Sequence, residues 1–265
     1  MLLGYNYIES LLKIVKKYNV NLIEIYSNLS LLNEKYIKLF KEYNVQVATS
    51  FYSQNSEKHD KITGIIGSQK KTLDSLDLLY RNNVKFRIGI VMMNENIAEK
   101  DTLRKWLNER YNLNDSKNFD IVRPIGRADN NALIPQKEFN EKFLNTTEIL
   151  NAQNFNSYYY NKKFNSCWGD KVCLKPDGKI YPCVMSNISF GNYKDVLKIL
   201  SNKNSYRFLT KDKIKRCKNC EKRYLCFECR AMLSKTKHDL KITPYLCTYD
   251  IKTSKFKNKR KVKYE

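Results

Sequence analysis

The chain has 265 residues, 42% of them hydrophobic, eight cysteines and a formal net charge of +22. That is enough length and apolar content for one large globular domain or two smaller ones. No apolar run approaches the eighteen or so residues of a membrane span, the longest being the mixed segment FRIGIVMM. The N-terminus also lacks a basic-then-apolar signal pattern, so the reading excludes a membrane protein and places the chain in the cytoplasm.

The first elements alternate. YIESLLKIVKKY at 7–18 carries Ile8, Leu11, Leu12 and Val15 at helical spacing, and LIEIYS at 22–27 follows as a short strand. NEKYIKLFKEY places Tyr36, Leu39, Phe40 and Tyr43 on one helix face, and VQVATSF at 45–51 is rich in strand formers. SQKKTLDSLDLLY predicts a helix capped by Ser68, and VKFRIGIVMM alternates Val84, Phe86, Ile88, Ile90 and Met92 as a strand does. KDTLRKWLNERY is helical with Trp106 as a core aromatic, FDIVRP is a strand, and QKEFNEKFLNTTEIL at 136–150 is a last helix.

Repetition of this kind predicts an α/β fold of parallel strands with crossover helices. The series opens with a helix that has no preceding strand, which leaves a partial sheet with an exposed edge. Pattern alone fits a truncated barrel and a small α/β domain with a capping helix equally well.

Every cysteine lies in the last third, the first being Cys167. From there the texture changes to turns and short apolar pieces. KPDGK predicts a turn between KVCLK and KIYPC, so that Cys173 and Cys183 flank a hairpin, and a short helix follows near VLKIL. The spacing runs C-x5-C-x9-C, then C-x2-C-x5-C-x2-C from Cys217 to Cys229, then Cys247.

In a chain without a signal peptide these thiols point to metal rather than disulfides. Zinc ribbons separate their two cysteine knuckles by about fifteen to twenty residues, far more than the gap between Cys220 and Cys226. Iron–sulfur clusters take about four thiolates each, so eight cysteines suffice for two. Spacing favours iron–sulfur over zinc without assigning cysteines to clusters.

The charge of +22 would suit nucleic acid, since Lys and Arg bind phosphate by releasing counterions. The lysines are scattered over helix faces, and lysine, asparagine, isoleucine and tyrosine are abundant together, which reads as compositional bias. The basic tail KTSKFKNKRKVKYE, at 252–265, reads as a solvated end.

CWGDKVCLKPDGKIYPCVMSNISFGN, then CKNCEKRYLCFECRA and CTYD, resembles the SPASM domain of radical S-adenosylmethionine (SAM) enzymes that modify peptides. The family pattern is met by Cys167, Gly178, Cys183, Cys217, Cys220, Cys226, Cys229 and Cys247, with CFEC one residue shorter than the family's C-x3-C. The resemblance implies two auxiliary 4Fe-4S clusters. Cys167, Cys173, Cys183 and Cys229 would hold the first, and Cys217, Cys220, Cys226 and Cys247 the second.

Residues 1–150 resemble the second half of the radical SAM partial barrel. The implied organisation is that barrel segment, a linker at 151–166, the SPASM domain at 167–251 and the basic tail. By resemblance Asn28, which ends the strand before the middle of the barrel, is a cofactor-binding candidate that could equally close a turn, while Ser50 and Thr63 fall where family members contact SAM. Thr63 stands where some members have an arginine. His59 and Asp60 read as a solvated loop pair rather than an acid/base pair.

The family's C-x3-C-x2-C signature and its Gly-Gly-Glu-Pro motif are missing from this sequence. Without them the chain alone is not expected to cleave SAM, and SAM would bind only once such a segment is supplied. Met1 reads as an internal methionine of a longer frame. The implied partners are a ribosomally made precursor peptide, a reducing electron donor and a separately encoded N-terminal half. Three rivals are a non-enzymatic electron-transfer subunit, a zinc-dependent nucleic-acid module and an inactive gene remnant.

Overall fold

The computed structural model describes residues 4–113, 119–123, 131–143, 155–227, 229–233, 240–241 and 247–256. Residues 144–150 of the last expected helix, 151–154 of the expected linker and 257–265 of the basic tail lie outside them. The chain divides into two compact units, Met1–Arg123 with Ala132–Pro135, and Pro124–Asn131 with Gln136–Glu265.

The first unit runs α1 (Tyr5–Lys17), β1 (Ile23–Tyr26), α2 (Glu34–Glu42), β2 (Val45–Phe51), α3 (Ser56–Thr63), α4 (Ser68–Arg81), β3 (Phe86–Met92), α5 (Lys100–Tyr111) and β4 (Phe119–Ile121). The strands form one parallel sheet in the order β1-β2-β3-β4. The sheet therefore has the connectivity expected of alternating helices and strands.

Alternation gives the sheet two unlike faces. Val45, Val47, Phe51, Ile90, Met92 and Ile121 bury one face. The other carries Glu24, Tyr26, Ser50, Arg87 and Gly89, adjacent through the pairs Tyr26–Ala48, Ala48–Arg87 and Ser50–Gly89. There Arg87 on β3 reaches past β2 to donate to both carboxylate oxygens of Glu24 on β1, at 2.7 and 2.8 Å.

α1 buries Ile8 and Leu12. Tyr5 meets Tyr36 of α2 edge-on at 5.5 Å and Lys16 lies over Tyr43, so α2 flanks α1 on one side. At about 100° per residue, Tyr7, Leu11, Ile14 and Tyr18 form a stripe on the opposite flank. These four are 60%, 48%, 56% and 70% exposed. Among the described residues β1 is the terminal strand at this end of the sheet, and the apolar stripe of α1 lies on the flank away from α2.

Two local readings need correction. SEKHDKIT is a helix, not a loop, with Asn55 accepting the Lys58 N–H at 2.9 Å as its cap. α4 is not capped by Ser68, because the residue before the helix is Gly67 and Ser68 already lies in its first turn. The Ser68 hydroxyl donates instead to Asp60 at 2.9 Å, which also accepts the N–H groups of Gly67 and Gln69. The Asp60 carboxylate thus serves the helix start from the preceding element.

The second unit contains α6 (Gln136–Phe143), α7 (Phe155–Lys163), the antiparallel pair β5 (Cys173–Leu174) and β6 (Ile180–Tyr181), α8 (Val196–Ser201), α9 (Arg230–Leu233) and the pair β7 (Tyr249–Asp250) and β8 (Lys255–Phe256). Its core is Trp168, Ile180, Ile199, Tyr206, Leu209 and Ala231. Among the described residues no helix is long and apolar enough to cross a membrane.

Candidate metal centre

The first cysteine is placed by a buried amide. Asn165 follows α7, and its carboxamide oxygen accepts the N–H groups of Cys167 and Trp168, each at 3.0 Å. Its amide nitrogen donates to the Leu209 carbonyl at 2.8 Å, and its own N–H donates to the Arg207 carbonyl at 2.7 Å. One short side chain thus ties the Cys167 turn to the segment forty residues on, as polar groups at 5% exposure must be tied.

The hairpin is where turn chemistry puts it. Gly178 takes φ 72°, a left-handed geometry that glycine adopts without a Cβ penalty. Asp177 accepts the Lys179 N–H at 3.0 Å and the Tyr181 hydroxyl at 2.7 Å, and these bonds hold its carboxyl below the ordinary range. Cys173 pairs across the hairpin with Tyr181, whose ring lies 4.2 Å from the Lys175 ammonium. Burial raises the Cys173 thiol pKa, Lys175 opposes this, and the neighbouring Cys183 thiol adds to it.

Cys167, Cys183 and Cys229 all pack against the core around Trp168. That core gathers three thiols separated by sixty-two residues of chain. Cys173 stands on the hairpin strand opposite Tyr181, whose neighbour Ile180 belongs to this core.

The other four cysteines have different surroundings. Cys217 opens a 3-10 turn, Cys217–Asn219, and its carbonyl accepts the Cys220 N–H at 2.9 Å. Burial raises the Cys220 thiol, and Glu221 and Cys247 push it the same way. The segment after Cys247 is fixed beside it, since Tyr249 donates its hydroxyl to Glu221 and Arg216 donates to the Tyr249 carbonyl. Cys226 has the ammonium of Lys211 3.9 Å from its sulfur.

None of the eight cysteines is in a disulfide. Among the described residues no three His, Cys, Asp or Glu side chains stand together as a single-ion site. The donor set nonetheless fits a thiolate-ligated cluster. Lysine ammonium groups stand 3.5 Å from Cys167 Sγ and 3.9 Å from Cys226 Sγ.

The residues expected near SAM are not joined by any hydrogen bond among the described residues. Asn28 closes a turn, its side-chain oxygen accepting the Ser30 N–H at 3.3 Å and hydroxyl at 3.0 Å. Ser50 lies half-buried on the polar sheet face opposite Gly89. The Thr63 hydroxyl is 2.6 Å from that of Ser68, inside the Asp60 network.

His59 is not solvated as expected. It is 1% exposed, stacked near Phe51 at 4.8 Å, with Nδ1 3.2 Å from the Ser68 hydroxyl, and burial lowers its pKa. Trp106 is half-buried against Phe51.

Sequence reasoning missed Asn165, Asp212 and Lys211. Asparagine shortly before a turn was a legible signal for the first. Nothing local marks Lys211, one of 49 basic residues, as 6% exposed.

Residues 166–221 match the SPASM family, an iron-sulfur cluster-binding domain. The matched span holds Cys167, Cys173, Cys183, Cys217 and Cys220, while Cys226, Cys229 and Cys247 lie beyond it. No curated protein matches the chain in sequence.

Among solved structures the chain is similar to native anSMEcpe with bound AdoMet and Kp18Cys peptide. Identity is 20% and the TM-score 0.58 over 86% of this chain and 72% of that one. It is also similar to SuiB of Streptococcus suis, at 16% identity and a TM-score of 0.56 over 91% of this chain and 63% of that one. A SuiB structure with S-adenosylmethionine bound gives 15%, 0.54, 91% and 62%. The chain thus spans somewhat less than two thirds of SuiB. The chain has the fold of these proteins, and residues 166–221 match the SPASM iron–sulfur cluster-binding domain.

Proposed function

We propose that this chain is the cluster-bearing part of a radical SAM enzyme that modifies a ribosomally made peptide. In this reading Cys167, Cys173, Cys183 and Cys229 hold one 4Fe-4S cluster, and Cys217, Cys220, Cys226 and Cys247 hold a second. The observation that carries it is the convergence of Cys167, Cys183 and Cys229 on one buried core within and beyond a matched SPASM span. The AdoMet and peptide bound to anSMEcpe support the substrate class.

When bound, such clusters supply sites for one-electron transfer. The chain's residues position them: Asn165 orients Cys167, Asp177 and Gly178 turn the hairpin that carries Cys173 toward Cys183, and Tyr249 with Glu221 holds the Cys247 segment to Cys220. With every cysteine engaged, no thiolate remains for a SAM-cleaving cluster. A further segment bearing C-x3-C-x2-C, upstream in the same frame or separately encoded, completes the enzyme. A reducing donor supplies electrons, and the setting is cytoplasmic.

Among the described residues β1 pairs only with β2, and Tyr7, Leu11, Ile14 and Tyr18 are exposed, a surface suited to being covered by a partner polypeptide. The same feature supports a second reading, a subunit that relays electrons within a complex and cleaves no SAM itself.

Anaerobic reconstitution tests the metal. About eight irons and eight sulfides per chain are expected, four per cubane. One or two zincs without sulfide would overturn the proposal in favour of a zinc module. Formation of 5′-deoxyadenosine on mixing with a polypeptide bearing C-x3-C-x2-C separates the enzyme from the relay subunit.

A further inference from the structure

Lysine is among the residues least often buried, because its ammonium loses hydration that the interior seldom replaces. Lys211 is 6% exposed. It opens the 3-10 turn Lys211–Lys213, whose carbonyl at Lys211 accepts the Ile214 N–H at 3.2 Å, with Ile214 itself 1% exposed. The next residue, Asp212, accepts from Arg223 Nε at 2.9 Å and from the Tyr224 hydroxyl at 2.8 Å. Arg223 in turn donates to the Cys220 carbonyl at 3.0 Å. The turn that carries Lys211 is therefore locked to the strand of chain between Cys220 and Cys226, and the ammonium donates toward Cys226 Sγ at 3.9 Å.

A second lysine makes the comparison. Lys171 Nζ lies closer to a cysteine, 3.5 Å from Cys167 Sγ, but that pair is exposed. Water and salt screen that exposed pair more than the part-buried Lys211–Cys226 pair, which acts through a lower effective dielectric constant. Distance alone would rank Lys171 first; burial ranks Lys211 first.

We infer that Lys211 is a positioning residue that sets the reduction potential of the cluster held in part by Cys226. This rests on the two-cluster reading above. Reduction adds one electron and no proton to a thiolate-ligated cluster, so its charge becomes more negative by one. A fixed ammonium against a ligand sulfur stabilises that added charge and raises the potential, as net charge and hydrogen bonds to sulfur do generally. Lys211 thereby makes the two clusters unequal and places the Cys226 cluster on the electron-accepting side of the pair.

The test is an EPR-monitored titration with dithionite of the reconstituted full chain, with iron and sulfide counted for every variant. Lys211→Met is expected to retain the wild-type iron and to lower one of two midpoints by about 59 mV, a tenfold change in a one-electron equilibrium. Lys211→Arg is expected to recover most of the shift, and Lys171→Met to change either equilibrium less than twofold. Unchanged midpoints in Lys211→Met at full iron content would overturn the inference. Loss of half the iron would also overturn it, assigning Lys211 a purely structural part. A wild-type chain that takes up no iron refutes the cluster reading itself, and the inference with it.

Discussion

The side-chain oxygen of Asn165 accepts the backbone N–H of Cys167 at 3.0 Å while its nitrogen donates to Leu209, so one buried amide fixes where the first cysteine of the module stands. Asn165→Ala leaves the N–H groups of Cys167 and Trp168 and the Leu209 carbonyl without this partner. A buried donor or acceptor stranded in this way costs about 1–3 kcal/mol. The expected outcome is a fall of that size in unfolding free energy by urea titration, with Asn165→Asp no milder, because it turns a carboxylate oxygen onto the Leu209 carbonyl. Equal stability of Asn165→Ala and wild type would show that the turn holds without the amide.

The assignment of cysteines to clusters is checked by single substitutions. Cys229→Ala is expected to expose a labile iron in one cluster only, and Cys247→Ala in the other, as read by Mössbauer spectroscopy of reconstituted protein. Cys229→Ala combined with Cys173→Ala should still leave one cluster intact. Equal damage to both clusters from either single change would refute the interleaved pairing.

Much of this was legible because the signals were local. The strand-forming composition of VQVATSF and the Asp-Gly turn of KPDGK each need only neighbouring residues, and both elements stand where expected. α3 was missed because Ser56, Glu57, Lys58 and Asp60 give it little apolar periodicity; a cap from Asn55 and the tertiary bonds of Asp60 hold it instead. His59 was misread for the same reason, since its burial depends on Phe51 from β2 and Ser68 from α4. Lys211 was invisible because burial of one lysine among many is a property of the packed turn.

Asp60 predicts a pH dependence. The N–H groups of Gln69 and Gly67 and the Ser68 hydroxyl stabilise its charged form and lower its pKa. A carboxyl depressed by folding contributes stability that is fully present above the unfolded value of about 3.9 and is lost as pH falls through the lower folded value. Thermal midpoints of the wild type should therefore drop more steeply than those of Asp60→Asn as pH is lowered below about 4. Parallel curves would assign the acid sensitivity to other groups.

Gly169 packs where no side chain fits. A Cβ added there would stand 2.8 Å from Phe164 Cβ and 3.0 Å from the Asn165 carbonyl, with the Tyr160 hydroxyl closer still. Overpacking of this kind costs about 1–3 kcal/mol, and here it would push against the Asn165 segment itself. Gly169→Ala is expected to lower the urea midpoint and the iron retained after gel filtration together. A loss of stability with full iron retention would separate the packing of α7 from the placement of Cys167.

The stripe on α1 predicts an unusual tolerance. Apolar helix residues usually cost several kcal/mol to replace by charge, but Leu11 and Ile14 are 48% and 56% exposed. Leu11→Glu and Ile14→Glu should each change the stability of the isolated chain by no more than about 0.5 kcal/mol, the range of ordinary surface changes. They should also reduce any concentration-dependent self-association in sedimentation, because the stripe is an exposed apolar surface. Leu12→Glu is the internal control: its side chain, 2% exposed on the same helix, should unfold the first unit. If Leu11→Glu destabilised the chain as severely as Leu12→Glu, the stripe would be packed in solution rather than exposed.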